Sequence, residues 1–87
     1  MNEKDLKVFG FVLISSYRRR VVDSLSKHDM TPTEIAQDSG IRINHISKVL
    51  RELKNKNIVV CTNDEQKKNR NFQLTKLGTE IAEELKK

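Results

Sequence analysis

One stretch of the chain leaves little freedom in what it can fold into: Thr31-Pro32-Thr33-Glu34, then Ala36, Gly40-Ile41 and Ile46. Thr31 and Glu34 have the spacing of a capping box. In that motif the threonine hydroxyl accepts from the glutamate N–H while the carboxylate reaches back to the threonine N–H. Pro32 falls on the first helical position, where its missing N–H costs nothing. A helix starting there carries Ile35 and Ala36 inward and stops at Gly40, which tolerates the left-handed backbone of a sharp turn. A second helix is predicted from Ile43 to Lys56. It puts Ile43, Ile46, Val49, Leu50 and Leu53 on one face, with Asn44, His45, Ser47, Lys48 and Arg51 facing elsewhere. Two helices cross closely when the first offers a small residue, the turn a left-handed one and the second a branched apolar residue. Ala36, Gly40 and Ile46 fill those roles, and Ile41 can plug the gap between the helices. Residues 31–56 therefore read as a helix-turn-helix.

The flanks add helices and a hairpin. Lys4 to Lys27 reads mostly as helix, although the nearly continuous apolar run Val8 to Ile14 does not separate helix from strand by periodicity. Ser15-Ser16 can interrupt it and cap a second piece, in which Tyr17, Val21 and Leu25 make one stripe, widened by Val22. Arg18, Arg19 and Arg20 lie largely off that stripe, on a face that is either solvated or turned to a charged partner. After the helix-turn-helix, Asn57 can take a left-handed cap position, and Ile58 to Thr62 is β-branched and strand-like. A polar loop follows, Asn71 to Leu74 can pair back, and Thr75 can cap a last helix carrying Leu77, Ile81 and Leu85. The fold class expected is mainly α with a small β-hairpin, one domain over 1–87. It comprises an apolar segment over 1–15, the helix-turn-helix over 31–56, a hairpin over 58–74 and a terminal helix over 75–87.

Charge says what such a unit could bind. The chain holds 17 Lys+Arg against 12 Asp+Glu, a net charge of +5. The excess is local: Arg42 to Lys56 holds five bases and one acid, Glu52, for +4, and Lys67 to Arg70 holds three bases and no acid, for +3. Thr31 to Ile41 is acidic through Glu34 and Asp38, and the segment from Asn71 onward balances to zero. A basic helix and a basic loop point to a polyanion. Other classes find little support. One cysteine, Cys61, forms neither an internal disulfide nor a cysteine-based zinc site, and suits a reducing cytoplasm as a small strand residue rather than a redox sensor. His28 has no nameable metal partner. The start, Met1 to Asp5, does not read as a signal peptide, and no apolar run approaches a membrane span. No glycine-rich phosphate loop, ligand cluster or paired nucleophile and base suggests an enzyme or a cofactor. So small a chain has little room for an effector cavity.

With these residues in view, the chain resembles the winged-helix regulators of the MarR/ArsR superfamily, especially their small archaeal members. The likeness runs from Tyr17 to about Leu85. It is carried by Tyr17 to Val22, Thr31 to Ala36, Gly40-Ile41, Ile46 to Leu53, Ile58-Val59-Val60 and Leu74-Thr75-Lys76-Leu77-Gly78, which looks like that family's "LTxxG" after the wing. Asn57 stands where the family usually has glycine.

The resemblance implies sequence-specific binding of double-stranded DNA by a transcription regulator. The helix from Asn44 to Lys56 would enter the major groove. Arg42 would read guanine and Asn44 adenine, His45 or Ser47 would add a donor or acceptor, and Lys48 and Arg51 would meet phosphates. The amides near Thr31 and Thr33 would offer a phosphate site, and the wing tip Lys67-Lys68-Asn69-Arg70 would lie on the backbone or probe the minor groove. It also implies a homodimer, with the apolar run Val8 to Ile14 divided between core and dimer contact. Two rival readings share the fold: a winged helix that binds protein within a larger complex, and an RNA-binding one. The basic helix and wing argue against the first, and the scarcity of aromatic residues for base stacking argues against the second.

Overall fold

The computed structural model describes residues 2–63, 65 and 70–87. Five helices and one hairpin follow in order: α1 (Glu3–Leu13), α2 (Ser16–Lys27), α3 (Pro32–Ser39), α4 (Ile43–Asn55), β1 (Val59–Cys61), β2 (Phe72–Leu74) and α5 (Lys76–Leu85). The ambiguous N-terminal run is helix. Asn2 caps it by accepting from the Asp5 N–H at 2.8 Å, and Ser15 then caps α2 by accepting from the Arg18 N–H at 3.3 Å.

The local signals hold at the other helix ends too. Thr31 and Glu34 make both bonds of the capping box, at 3.3 Å and 2.9 Å. Gly40 ends α3 at φ 75° and ψ 13°. Asn57, at φ 60°, closes α4 in a Schellman arrangement. Its N–H donates to the Lys54 carbonyl at 3.0 Å, and the Ile58 N–H donates to that of Leu53 at 2.9 Å. Asparagine does here what glycine does more often, because its short polar side chain tolerates the left-handed region.

β1 and β2 pair antiparallel, with Val59 opposite Leu74 and Cys61 opposite Phe72. Val59 and Cys61 face the core and Val60 faces out, as the pleat requires. The strands are shorter than the segments 58–62 and 71–74 that their composition suggests. A further contact was not legible in the sequence: Met30, just ahead of α3, bridges to Phe72, exchanging backbone hydrogen bonds at 3.1 Å and 2.8 Å. The wing is thereby tied to the start of the helix-turn-helix.

One core joins the elements. It takes Val12 from α1, Val21, Val22 and Leu25 from α2, Ile35 from α3, and Ile46, Val49, Leu50 and Leu53 from α4. Met30 ahead of α3, Ile41 behind the turn, Ile58, Val59, Cys61 and Phe72 at the wing, and Ile81 and Ala82 from α5 complete it. Two expected core residues stand apart. Ile43 is 49 % exposed and Tyr17 is 39 % exposed, because each sits at the start of its helix, beyond the reach of the elements that cover the rest of the stripe. On α1 and its C-cap, Leu6, Leu13 and Ile14 are also exposed, whereas Val8, Phe9 and Phe11 pack partly against the core. Among the described residues no helix is long and apolar enough to cross a membrane.

Candidate nucleic-acid interface

Helix α4 organises the site. At about 100° per residue its side chains fall into distinct faces. Ile46, Val49, Leu50 and Leu53 are buried and fix its orientation. Asn44, Lys48 and Arg51 lie opposite them, all exposed. Ile43, Ser47 and Lys54 lie to one side, and His45, Glu52 and Lys56 to the other.

The first flank lines an open cleft between α4, the start of α3 and the base of the wing. Thr31 and Thr33 come from the second of these, Ser47 and Arg51 from α4, and Arg70 from the chain just ahead of β2. Three separate predicted segments therefore meet at one surface. The cleft also takes in Ile43, which the pattern assigns to the apolar stripe, and Lys54, which it gives no role. Their spacing from Ser47, four residues before and seven after, was the signal that could have found them. The wing-tip residues Lys67, Lys68 and Asn69 lie outside the described residues.

Thr31 serves differently from expectation. Its N–H donates to Glu34 Oε1, and its hydroxyl accepts from the Glu34 N–H, so the residue's amide is committed to the cap. That backbone bond, helped by the Thr31 hydroxyl, holds the Glu34 carboxyl below its ordinary range. Pro32 has no N–H to give, which leaves exposed Thr33 as the donor at this helix start. The second acid of α3, Asp38, is held low first by the Ser24 hydroxyl and then by Lys27. The Lys27 ammonium sits 2.9 Å and 3.0 Å from its two oxygens. Both acids in this otherwise acidic segment are thus bound up within the fold.

The opposite flank of α4 meets α1 and α2. The Tyr17 and His45 rings lie 5.4 Å apart at 53°, which draws His45 toward α2 while leaving it exposed. Arg18 is neither solvated nor turned to an outside partner. Its Nη1 donates to the Phe11 carbonyl at 2.9 Å and its Nη2 to Glu52 Oε2 at 3.0 Å, with the guanidinium 3.7 Å from the Phe11 ring centroid. Its planar fork lets one side chain serve three partners. The one acid of the basic helix is thereby neutralised and turned away from the exposed face. Arg42, at the N-cap of α4, makes no side-chain capping bond and is exposed. Cys61 is a buried strand residue, and no cluster of three metal-ligating side chains exists among the described residues.

A helix-turn-helix whose second helix presents an acid-free basic face, followed by a two-stranded hairpin tied back to its first helix, defines a winged helix-turn-helix domain. Comparison with known proteins agrees on the architecture. No protein-family model matches the chain, and no curated protein matches it. Among solved structures it is similar to MepR of S. aureus in complex with DNA, with 22 % identity and a TM-score of 0.76, over 97 % of this chain and 68 % of that one. It is also similar to a mutant of ZitR from Lactococcus lactis, with 18 % identity and a TM-score of 0.73, over 83 % of this chain. The match spans half the length of that ZitR chain. At these identities the likeness is one of fold.

Proposed function

We propose that the chain is a transcriptional regulator that binds double-stranded DNA in a sequence-specific way, with α4 in the major groove. The observation that carries this reading is the outward face of α4. Asn44, Lys48 and Arg51 stand exposed there, and the helix's single acid is folded back onto Arg18. A surface meant for a basic or apolar protein patch has no need to sequester a lone carboxylate. One meant for phosphates does, because an unpaired acid beside the backbone opposes binding. The DNA-bound state of MepR lends the fold a precedent for this ligand.

In this arrangement Arg42 and Asn44 reach base edges first, as guanine and adenine readers, and Ser47 and His45 flank them. Lys48, Arg51, Thr33 and the wing residues Lys67, Lys68, Asn69 and Arg70 hold phosphates, which position the helix without reading sequence. The exposed apolar residues Leu6, Leu13 and Ile14 supply a contact between two copies, so that paired α4 helices meet major-groove faces about 34 Å apart. The setting is the cytoplasm.

The test is fluorescence anisotropy of a mixed-sequence duplex titrated with protein at several salt concentrations, with Lys48→Ala and Arg70→Ala alongside. Binding should weaken steeply with salt, and each substitution should flatten the log–log slope by about 0.9, the signature of one lost phosphate contact. No binding at low salt would refute the reading and turn attention to protein partners. Tight binding to single-stranded RNA with indifference to the duplex would favour the RNA alternative.

A further inference from the structure

Ile43 is the large apolar side chain that α4 leaves outside the core. It is 49 % exposed, while Ile46, Val49, Leu50 and Leu53 are buried. It opens the helix directly after Arg42, and it lines the cleft with Thr33, Ser47, Arg51 and Arg70. An isoleucine among cations and hydroxyls makes no hydrogen bond to a base and no ion pair with a phosphate. Its β-branched side chain is stiff in a helix, so its methyl groups are held in one place before any ligand arrives. On the edges that base pairs show in the major groove, the apolar group is the C5-methyl of thymine.

We propose that Ile43 is a specificity-determining residue that packs against a thymine methyl. The inference rests on the DNA reading above and deepens it. Arg42 and Asn44 select bases by hydrogen bonds, and Ile43, between them in the chain, selects a neighbouring thymine by shape and dryness. Removing one buried methyl from such a contact weakens binding about fourfold.

The experiment starts from duplexes enriched from a random pool by the wild-type chain. Each thymine of the enriched site is then replaced singly by deoxyuridine, which removes the methyl and keeps the pairing. Wild type should lose about fourfold in affinity at one or two positions. Ile43→Ala should bind the thymine and uracil duplexes equally at those positions, with an unchanged circular dichroism spectrum and salt slope. Ile43→Val, which keeps the branch, should retain the discrimination. Tight wild-type binding with indifference to every methyl overturns the inference alone, as does full discrimination surviving in Ile43→Ala. Absence of binding to any duplex overturns the DNA reading, and this inference with it.

Discussion

Two glycines lie inside helices, and replacing each with alanine should shift stability in opposite directions. Helix propensity favours alanine over glycine by about 1 kcal/mol at either site. At Gly10, in α1, an added Cβ meets nothing within 4 Å, so Gly10→Ala should stabilise the domain by about 0.5–1 kcal/mol. At Gly78, in α5, the same atom would sit 2.2 Å from the Ile58 carbonyl oxygen, 3.1 Å from Leu74 Cδ2 and 3.2 Å from the Ile58 carbonyl carbon. Ordinary contact begins at 3.4 Å, so the oxygen must retreat by about 1.2 Å, from 3.4 less 2.2. It is not free to do so. Ile58 O accepts from the Thr75 N–H at 3.0 Å, and the Thr75 hydroxyl, which donates to the neighbouring Asn57 carbonyl at 2.6 Å, accepts from the Gly78 N–H at 3.1 Å. Overpacking of this kind costs about 1–3 kcal/mol, and each lost hydrogen bond adds about 1. Set against the propensity gain, Gly78→Ala should destabilise by about 2–3 kcal/mol. For a domain of this size that lowers Tm by roughly 10–20 °C, while Gly10→Ala raises it by a few degrees. Thermal and urea unfolding followed by circular dichroism measure both. A Gly78→Ala protein as stable as wild type would refute the close approach of α5 to the wing.

The Arg18 cluster supports a second prediction. Arg18→Met should destabilise by about 2 kcal/mol, because it strips the Phe11 carbonyl and Glu52 of a shared charged donor, and Arg18→Lys should rescue little since one ammonium cannot reproduce the fork. A double-mutant cycle with Glu52→Gln reads the coupling, and strict additivity would show the pair to be idle. Stability should also fall in acid. Glu34 and Asp38 titrate below their ordinary values of 4.5 and 3.8, so their contribution is present above those values and is lost as the pH drops through the lower, folded ones. Glu34→Gln keeps the cap geometry without the charge and should flatten that acid limb in pH-dependent unfolding. An unchanged limb would remove Glu34 from the account.

Local chemistry was legible in the sequence because its partners are a few residues apart. The capping box at Thr31 and Glu34, the left-handed Gly40 and Asn57, and the Ser15 and Thr75 caps each close a hydrogen bond or turn within one helical end. The crossing of Ala36, Gly40 and Ile46 belongs to the same kind, since a short turn leaves two helices few ways to meet. Most of the basic surface followed from there, as residues opposite the apolar stripe of α4 have nowhere to point but outward. Only the tertiary structure decided the rest. Helical periodicity placed Ile43 on the same stripe as Ile46, but burial depends on whether another element covers that end of the helix, and none does so fully. Arg18 looked like one charge in a solvated run until α1 and α4 brought Phe11 and Glu52 to it from 7 and 34 residues away. The Met30–Phe72 bridge and the tight seat of Gly78 against Ile58 likewise join segments distant along the chain. A pattern records what a residue prefers among its neighbours, whereas a contact between remote segments exists only after the whole chain has packed.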